Sequence, residues 1–159
     1  VSKTLAVRTY CNSETPGEDP YLSGQYAINF VKGFQEHPEA PGEVMASACC
    51  KHYVANSMDG STVDGHQATR VDFNAVISEQ DLVDSYLAPF QACVEQGEVT
   101  SLIAGEYSPS VSTACPAWVR PQHSNQDATC SYNSVNGKPS CANPWLLQTV
   151  ARDQWDFDG

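Results

Sequence analysis

The chain has 159 residues, about the size of one modest domain, with a formal net charge of −11 and a sequence pI ≈ 4.5. That charge argues against nucleic acid and anionic membranes as partners and favours a neutral ligand. No apolar run approaches the roughly 20 residues of a membrane span. The seven cysteines include no C-x-x-C pair, which disfavours zinc and fits a secretory route with some disulfides and at least one thiol left over.

The chain starts on Val1 without a charged n-region or apolar h-region, and it stops at Asp158-Gly159 where a new element is due. A piece of a longer protein is expected. Residues 1–13 show no clear period. Asp19 before Pro20 is a helix start, and Ala27, Ile28, Val31 and Phe34 follow at helical spacing, so a helix is expected over Pro20–Gln35, weakened at Gly33. Glu18 and Asp19 read as capping groups at the positive end of its dipole, not as catalytic acids. His37-Pro38 through Gly42 reads as a loop with a solvated His37.

Val44–Cys50 reads as a strand buried on both faces, as in a parallel sheet, and it ends abruptly in Lys51 and His52. The carboxyl ends of strands are where α/β folds bind ligands, so this pair is a candidate set of donors at the mouth of a site. The plainer alternative makes Lys51 the first solvated residue after a strand and His52 a capped loop residue. Val54–Thr69, with Asp59, Asp64 and His66, reads as a long loop over the strand end, and His66 as a surface residue. Val71, Phe73 and Ala75 alternate with polar residues and suggest a short extended piece.

Ser78-Glu-Gln-Asp81 is a capping-box variant with Ser78 as N-cap. Leu82, Tyr86, Leu87, Phe90, Cys93 and Val94 form one apolar stripe that reads as core, Gly97 closes the helix, and Pro89 should kink it or loosen one turn. Val99–Ile103 is the next strand. Ala104–Thr129 has Pro109, Pro116 and Pro121 and no apolar period. Cys130 to Cys141 is turn-rich, punctuated by Asn136-Gly137 and Lys138-Pro139. It is short enough to bring Cys130 and Cys141 within bridging distance, with Cys49, Cys50 and Cys93 as rival partners. Asn143-Pro144 opens a last helix with Trp145, Leu146 and Val150 on its apolar side. The order of helix, strand, helix, strand, loop and helix indicates an α/β fold, part of a barrel or a doubly wound sheet.

Three stretches in this order resemble glycoside hydrolase family 3, most closely its β-xylosidase branch in plants and fungi: Glu14-Thr-Pro-Gly-Glu-Asp-Pro20, Ala48-Cys-Cys-Lys-His-Tyr53 and Cys130-Ser-Tyr-Asn-Ser-Val-Asn-Gly-Lys-Pro-Ser-Cys-Ala142. Phe73-Asn74-Ala75, Pro89-Phe90 and Cys93 sit where that branch has similar residues. The resemblance covers residues 14–103 and 130–159. It implies a partial (β/α)8-type barrel, truncated before the nucleophile-bearing strand, with 1–159 as a single incomplete domain. It implies a retaining exo-glycosidase that hydrolyses terminal β-1,4-xylosyl residues from xylo-oligosaccharides, secreted to the cell wall. A β-glucosidase, an arabinofuranosidase or a non-catalytic carbohydrate-binding fragment is the alternative.

The resemblance also assigns residues. Lys51 and His52 match the family's pair that hydrogen-bonds the terminal sugar, and Tyr132 matches the tyrosine beside the nucleophile; these three are the expected substrate-binding residues. The nucleophilic Asp is expected a few residues beyond Gly159 and the acid/base Glu in a later domain, so Glu14, Glu18 and Asp19 are not promoted to either role. No cofactor or metal is implied. The expected partners are an oligosaccharide substrate and the remaining domains of the same enzyme, with no nucleic acid and no membrane. Two departures stand out. Cys11 occupies the position of a sugar-contacting Arg, with Arg8 out of register. Residues 104–129 interrupt a join that is continuous in the family, and are expected to be an insertion or translated intron outside the working fold.

Overall fold

The structure is a computed structural model that describes residues 16–57, 60–63, 65–69, 73–104 and 133–159. Arg8, Cys11, Glu14, Asp59, Asp64, Val71, Cys130, Tyr132 and residues 105–129 lie outside the described residues. Helix α1 spans Pro20–Gln35, as the sequence predicts, with Pro20 in its first turn and the Asp19 carboxylate accepting from the Leu22 N–H at 2.7 Å. Asp19 is therefore a cap. Val31 and Gln35 are buried, and Gly24 lets Ala92 approach so closely that an added Cβ would stand 3.0 Å from the Ala92 Cβ. Phe34 departs from expectation: it is exposed and stacks on Phe30, which stacks in turn on Tyr26, because these positions lie on the helix face away from the described core. His37 is more than a solvated loop residue, since its Nδ1 accepts from the Glu39 N–H at 3.2 Å.

The expected strand Val44–Cys50 is shorter and shifted. Strand β1 is Cys49–Tyr53, while Val44 and Met45 are 55% and 54% exposed. The reason is local. The chain after α1 turns back on the helix end, where Glu36 bridges Val44 and Met45 N donates to Gln35 O at 2.7 Å, so this apolar run lies along the surface. Within the expected long loop, Gly60–Val63 (β2) and His66–Thr69 (β3) pair as an antiparallel hairpin, with Gly65 at φ +80 in the turn.

The next helix has three stretches. Ser78 caps α2 (Glu79–Asp81), its hydroxyl accepting from Asp81 N at 3.0 Å and donating to the Asp81 carboxylate at 2.8 Å. Leu82–Leu87 is π-wound, and α3 (Ala88–Glu95) follows. Pro89 has no N–H to give to the preceding turn, so the ladder widens just ahead of it, as its position predicts. Past α3, Gly97 follows the cap residue Gln96, but the left-handed residue is Glu98, at φ 55. Gly97 is needed for room instead, because a Cβ there would lie 2.6 Å from the Cys93 carbonyl oxygen.

Strand β5 (Ser101–Ala104) then pairs parallel with β1, Cys49 opposite Ser101. This β1–helix–β5 unit is the parallel crossover expected of an α/β chain. Ala104 is the last residue of β5 and pairs with Tyr53, so the segment expected outside the fold begins no earlier than residue 105. A second parallel pair joins β4 (Asn74–Ala75) to β6 (Ser134–Val135), and β6 returns antiparallel to β7 (Lys138–Pro139). Asn136 at φ 50 and Gly137 at φ 79 form the two-residue turn that such hairpins favour. After a short 3₁₀ turn at Ser140–Ala142, the C-terminal helix Trp145–Gln154 is π-wound and buries Leu146, Val150 and Ala151.

Tyr53 is the centre of the core. It is fully buried, meets Phe90 and Trp155 edge-on at 5.3 and 5.9 Å, and donates its hydroxyl to Leu146 O at 2.9 Å. The end of β1 is thereby clamped between α3 and the C-terminal helix.

Candidate functional site

Lys51 and His52 lie inside β1, at its carboxyl end, and not after it. Lys51 is exposed, His52 half-buried and Tyr53 buried. Lys51 stands opposite Ile103 and Tyr53 opposite Ala104, so the ladder shifts at His52. Such a bulge re-aims a side chain where a strand ends. The Lys51–His52 and Tyr53–Val54 peptides are cis.

Three attachments hold this strand end. Behind it, Gln35 is buried and uses its whole carboxamide: Oε1 accepts from Ala48 N at 3.1 Å, Thr100 N at 3.0 Å and the Thr100 hydroxyl at 3.0 Å, while Nε2 donates to Glu98 O at 2.8 Å. This sets the register in which β1 and β5 begin. On one side, Cys50 is disulfide-bonded to Cys93 of α3. Two of the rival partners weighed for Cys130 and Cys141 are therefore bonded to each other. At the far end, Asn133 is fully buried and its Nδ2 donates to Val54 O at 3.3 Å.

Asn133 directly follows Tyr132 in the chain. The structure thus joins Asn133 of the third motif to Val54, two residues beyond His52, with Tyr132 itself outside the described residues. Asn133 O also accepts from Ser140 N at 3.0 Å, across the β6–β7 hairpin. Burial pushes the Tyr53 phenol well above its ordinary pKa, so it serves as a neutral donor and not as an acid or base. Among the described residues, no group of three His, Cys, Asp or Glu side chains could hold a metal ion, and no helix is long and apolar enough to cross a membrane.

Sequence reasoning missed Gln35 and Asn133 as the residues that set this geometry. Gln35 reads as a polar residue at a helix end, with no local sign that its amide is buried. Asn133 was within reach, because it sits inside the third motif.

Lys51 thus presents an exposed cation, and His52 a half-buried imidazole, at the carboxyl end of a parallel strand. The chain belongs to glycosyl hydrolase family 3: the description "Glycosyl hydrolase family 3 N terminal domain" matches residues 4–159. It is similar to Beta-D-xylosidase 3 of Arabidopsis thaliana, 41% identical over 147 residues, which cover 92% of this chain and 15% of that protein. It is 40% identical to Beta-xylosidase/alpha-L-arabinofuranosidase 2 of Medicago sativa subsp. varia, with the same coverage. The chain thus spans about 15% of the length of these relatives. Among solved structures it resembles a GH3 exo-beta-xylosidase (XlnD) in complex with a xylobiose aziridine activity based probe, with a TM-score of 0.66, 28% identity, and 92% of this chain and 15% of that one covered. It also resembles beta-glucosidase 3B from Thermotoga neapolitana, at TM-score 0.57 and 30% identity, covering 89% of this chain and 14% of that one.

Proposed function

We propose that this chain is part of the catalytic (β/α)8-type barrel of a secreted, retaining exo-glycosidase that removes terminal β-1,4-linked xylose from xylo-oligosaccharides. The observation that carries the reading is Lys51 and His52 at the carboxyl end of β1, joined through Val54 to the motif that contains Tyr132. The similarity to proteins named β-xylosidases supports the choice of sugar.

In this reading the Lys51 ammonium and the His52 imidazole hydrogen-bond neighbouring hydroxyls of the terminal sugar, and the Tyr132 phenol packs on its ring. These contacts fix the anomeric carbon for attack. Displacement of the leaving sugar by a carboxylate, then by water, retains the anomeric configuration. Both of those carboxyls belong to the rest of the enzyme. Asp19 is already committed to capping α1. A neutral sugar suits a chain of net charge −11, which repels anionic ligands at long range.

A second reading, arabinofuranoside cleavage by the same enzyme, is favoured by the double name of the Medicago relatives. Expressing the full-length enzyme and assaying aryl β-D-xyloside, α-L-arabinofuranoside and β-D-glucoside side by side tests both. The proposal requires the β-D-xyloside to have the highest kcat/KM. A preference for the glucoside would refute it.

A further inference from the structure

Asn136-Gly137 carries chemistry that the sugar site does not use. An Asn followed by Gly is the dipeptide most open to intramolecular deamidation, because glycine leaves the following backbone nitrogen unshielded and conformationally free. In that reaction the Gly137 nitrogen loses its proton and attacks the Asn136 Cγ. A ring C–N bond forms, the bond to the side-chain nitrogen breaks, and ammonia leaves carrying the proton. Water then opens the cyclic imide to aspartate or isoaspartate.

The fold hydrogen-bonds both reacting groups to the 74–77 segment. Asn136 Oδ1 accepts from Ile77 N at 2.9 Å, and its Nδ2 donates to Ile77 O at 3.0 Å. The Gly137 N–H donates to Asn74 Oδ1 at 2.8 Å, and the Asn136 N–H donates to Ala75 O at 3.0 Å. Electrophile and nucleophile are thus each occupied by the 74–77 segment. Both residues are exposed, so water reaches them once these bonds open.

We propose that Asn136 is a latent deamidation site, kept silent by docking of the β6–β7 turn on Asn74 and Ile77, and that its conversion releases the turn irreversibly. The release follows from charge. A carboxylate in place of the amide has no N–H for Ile77 O and sets two oxygens against each other. The same hairpin begins one residue after Asn133, so this damage sits next to the bond that joins the two motifs of the site.

The test incubates the full-length enzyme at mildly alkaline pH, in buffer and in concentrated urea, and follows Asn136 by peptide mapping. Conversion in buffer should be at least about tenfold slower than in urea, as protection by local structure requires. Asn74→Ala should raise the buffer rate by about tenfold, while Asn74→Asp, which keeps an acceptor oxygen for Gly137, should stay near wild type. Circular dichroism checks that each variant is folded. Equal wild-type rates in buffer and urea would overturn the proposal, as would a natively folded Asn74→Ala that converts at the wild-type rate. In the deamidated fraction, hydrogen exchange at Ile77 N–H should rise. Unchanged exchange there would overturn the release step.

Discussion

The Asn133 carboxamide donates to the Val54 carbonyl oxygen at 3.3 Å, and Asn133 is completely buried. Val54 lies two residues beyond His52, and Asn133 one beyond Tyr132. One hydrogen bond therefore spans 79 residues and joins the two motifs expected to grip the sugar. Asn133→Ala should destabilise the fold by about 1–3 kcal/mol, since it leaves a buried carbonyl unpaired. Urea unfolding of both proteins checks this, and a change below a few tenths of a kcal/mol would mean that the bond does not hold the strand end.

The Cys50–Cys93 bridge closes a loop of 43 residues between β1 and α3. By chain entropy such a loop stabilises by about 4 kcal/mol, through the unfolded state. Replacing both cysteines with Ala should lower the Tm substantially, and reductant should destabilise the wild type but not the double variant. An unchanged midpoint on reduction would contradict the bridge.

Tyr53 makes a pH prediction. Its phenol is pushed up by burial, so the folded chain keeps the proton after the unfolded chain has released it. Stability from this group is complete below the unfolded tyrosine pKa near about 10 and falls above it by at most about 1.4 kcal/mol per pH unit. Tyr53→Phe should flatten that alkaline limb, at the cost of the bond to Leu146 O. Denaturation midpoints between neutral and strongly alkaline pH for both proteins give the comparison.

Much of the fold is legible in the sequence, and the misses share a cause. Helix α1 was readable to the residue because the Asp19 cap and Pro20 act locally. The Ser78 cap and the loosened turn before Pro89 were readable for the same reason. The strand after α1 was misread because Val44 and Met45 are apolar but exposed, which the turn-back of the chain on the end of α1 explains. The β2–β3 hairpin was missed because its strands carry little apolar alternation, although Asp64-Gly65 between them is a hairpin turn signal. In the site, Lys51 and His52 stood out as charge ending an apolar run. Gln35 could not, because its partners Ala48, Glu98 and Thr100 are distant in sequence and meet it only in the fold.

Residues 105–129 are proposed to lie outside the working fold, as translated intron or insertion. The segment has three prolines and no apolar period with which to offset its ordering cost. Sequencing the mature transcript should show a message without the codons for Pro109, Pro116 and Pro121. A spliced message that retains them would show the insertion to be real.

The central claim is that Lys51 binds the terminal sugar. The most direct measurement is kcat/KM of the full-length enzyme on an aryl β-D-xyloside, with and without Lys51→Ala. Lys51 is exposed at the end of β1, so its removal should leave folding intact. Loss of a charge-assisted hydrogen bond costs about 1.5–3 kcal/mol, which predicts a fall of roughly 10- to 150-fold. A folded Lys51→Ala enzyme with wild-type kcat/KM would contradict the account and leave Lys51 an ordinary solvated residue.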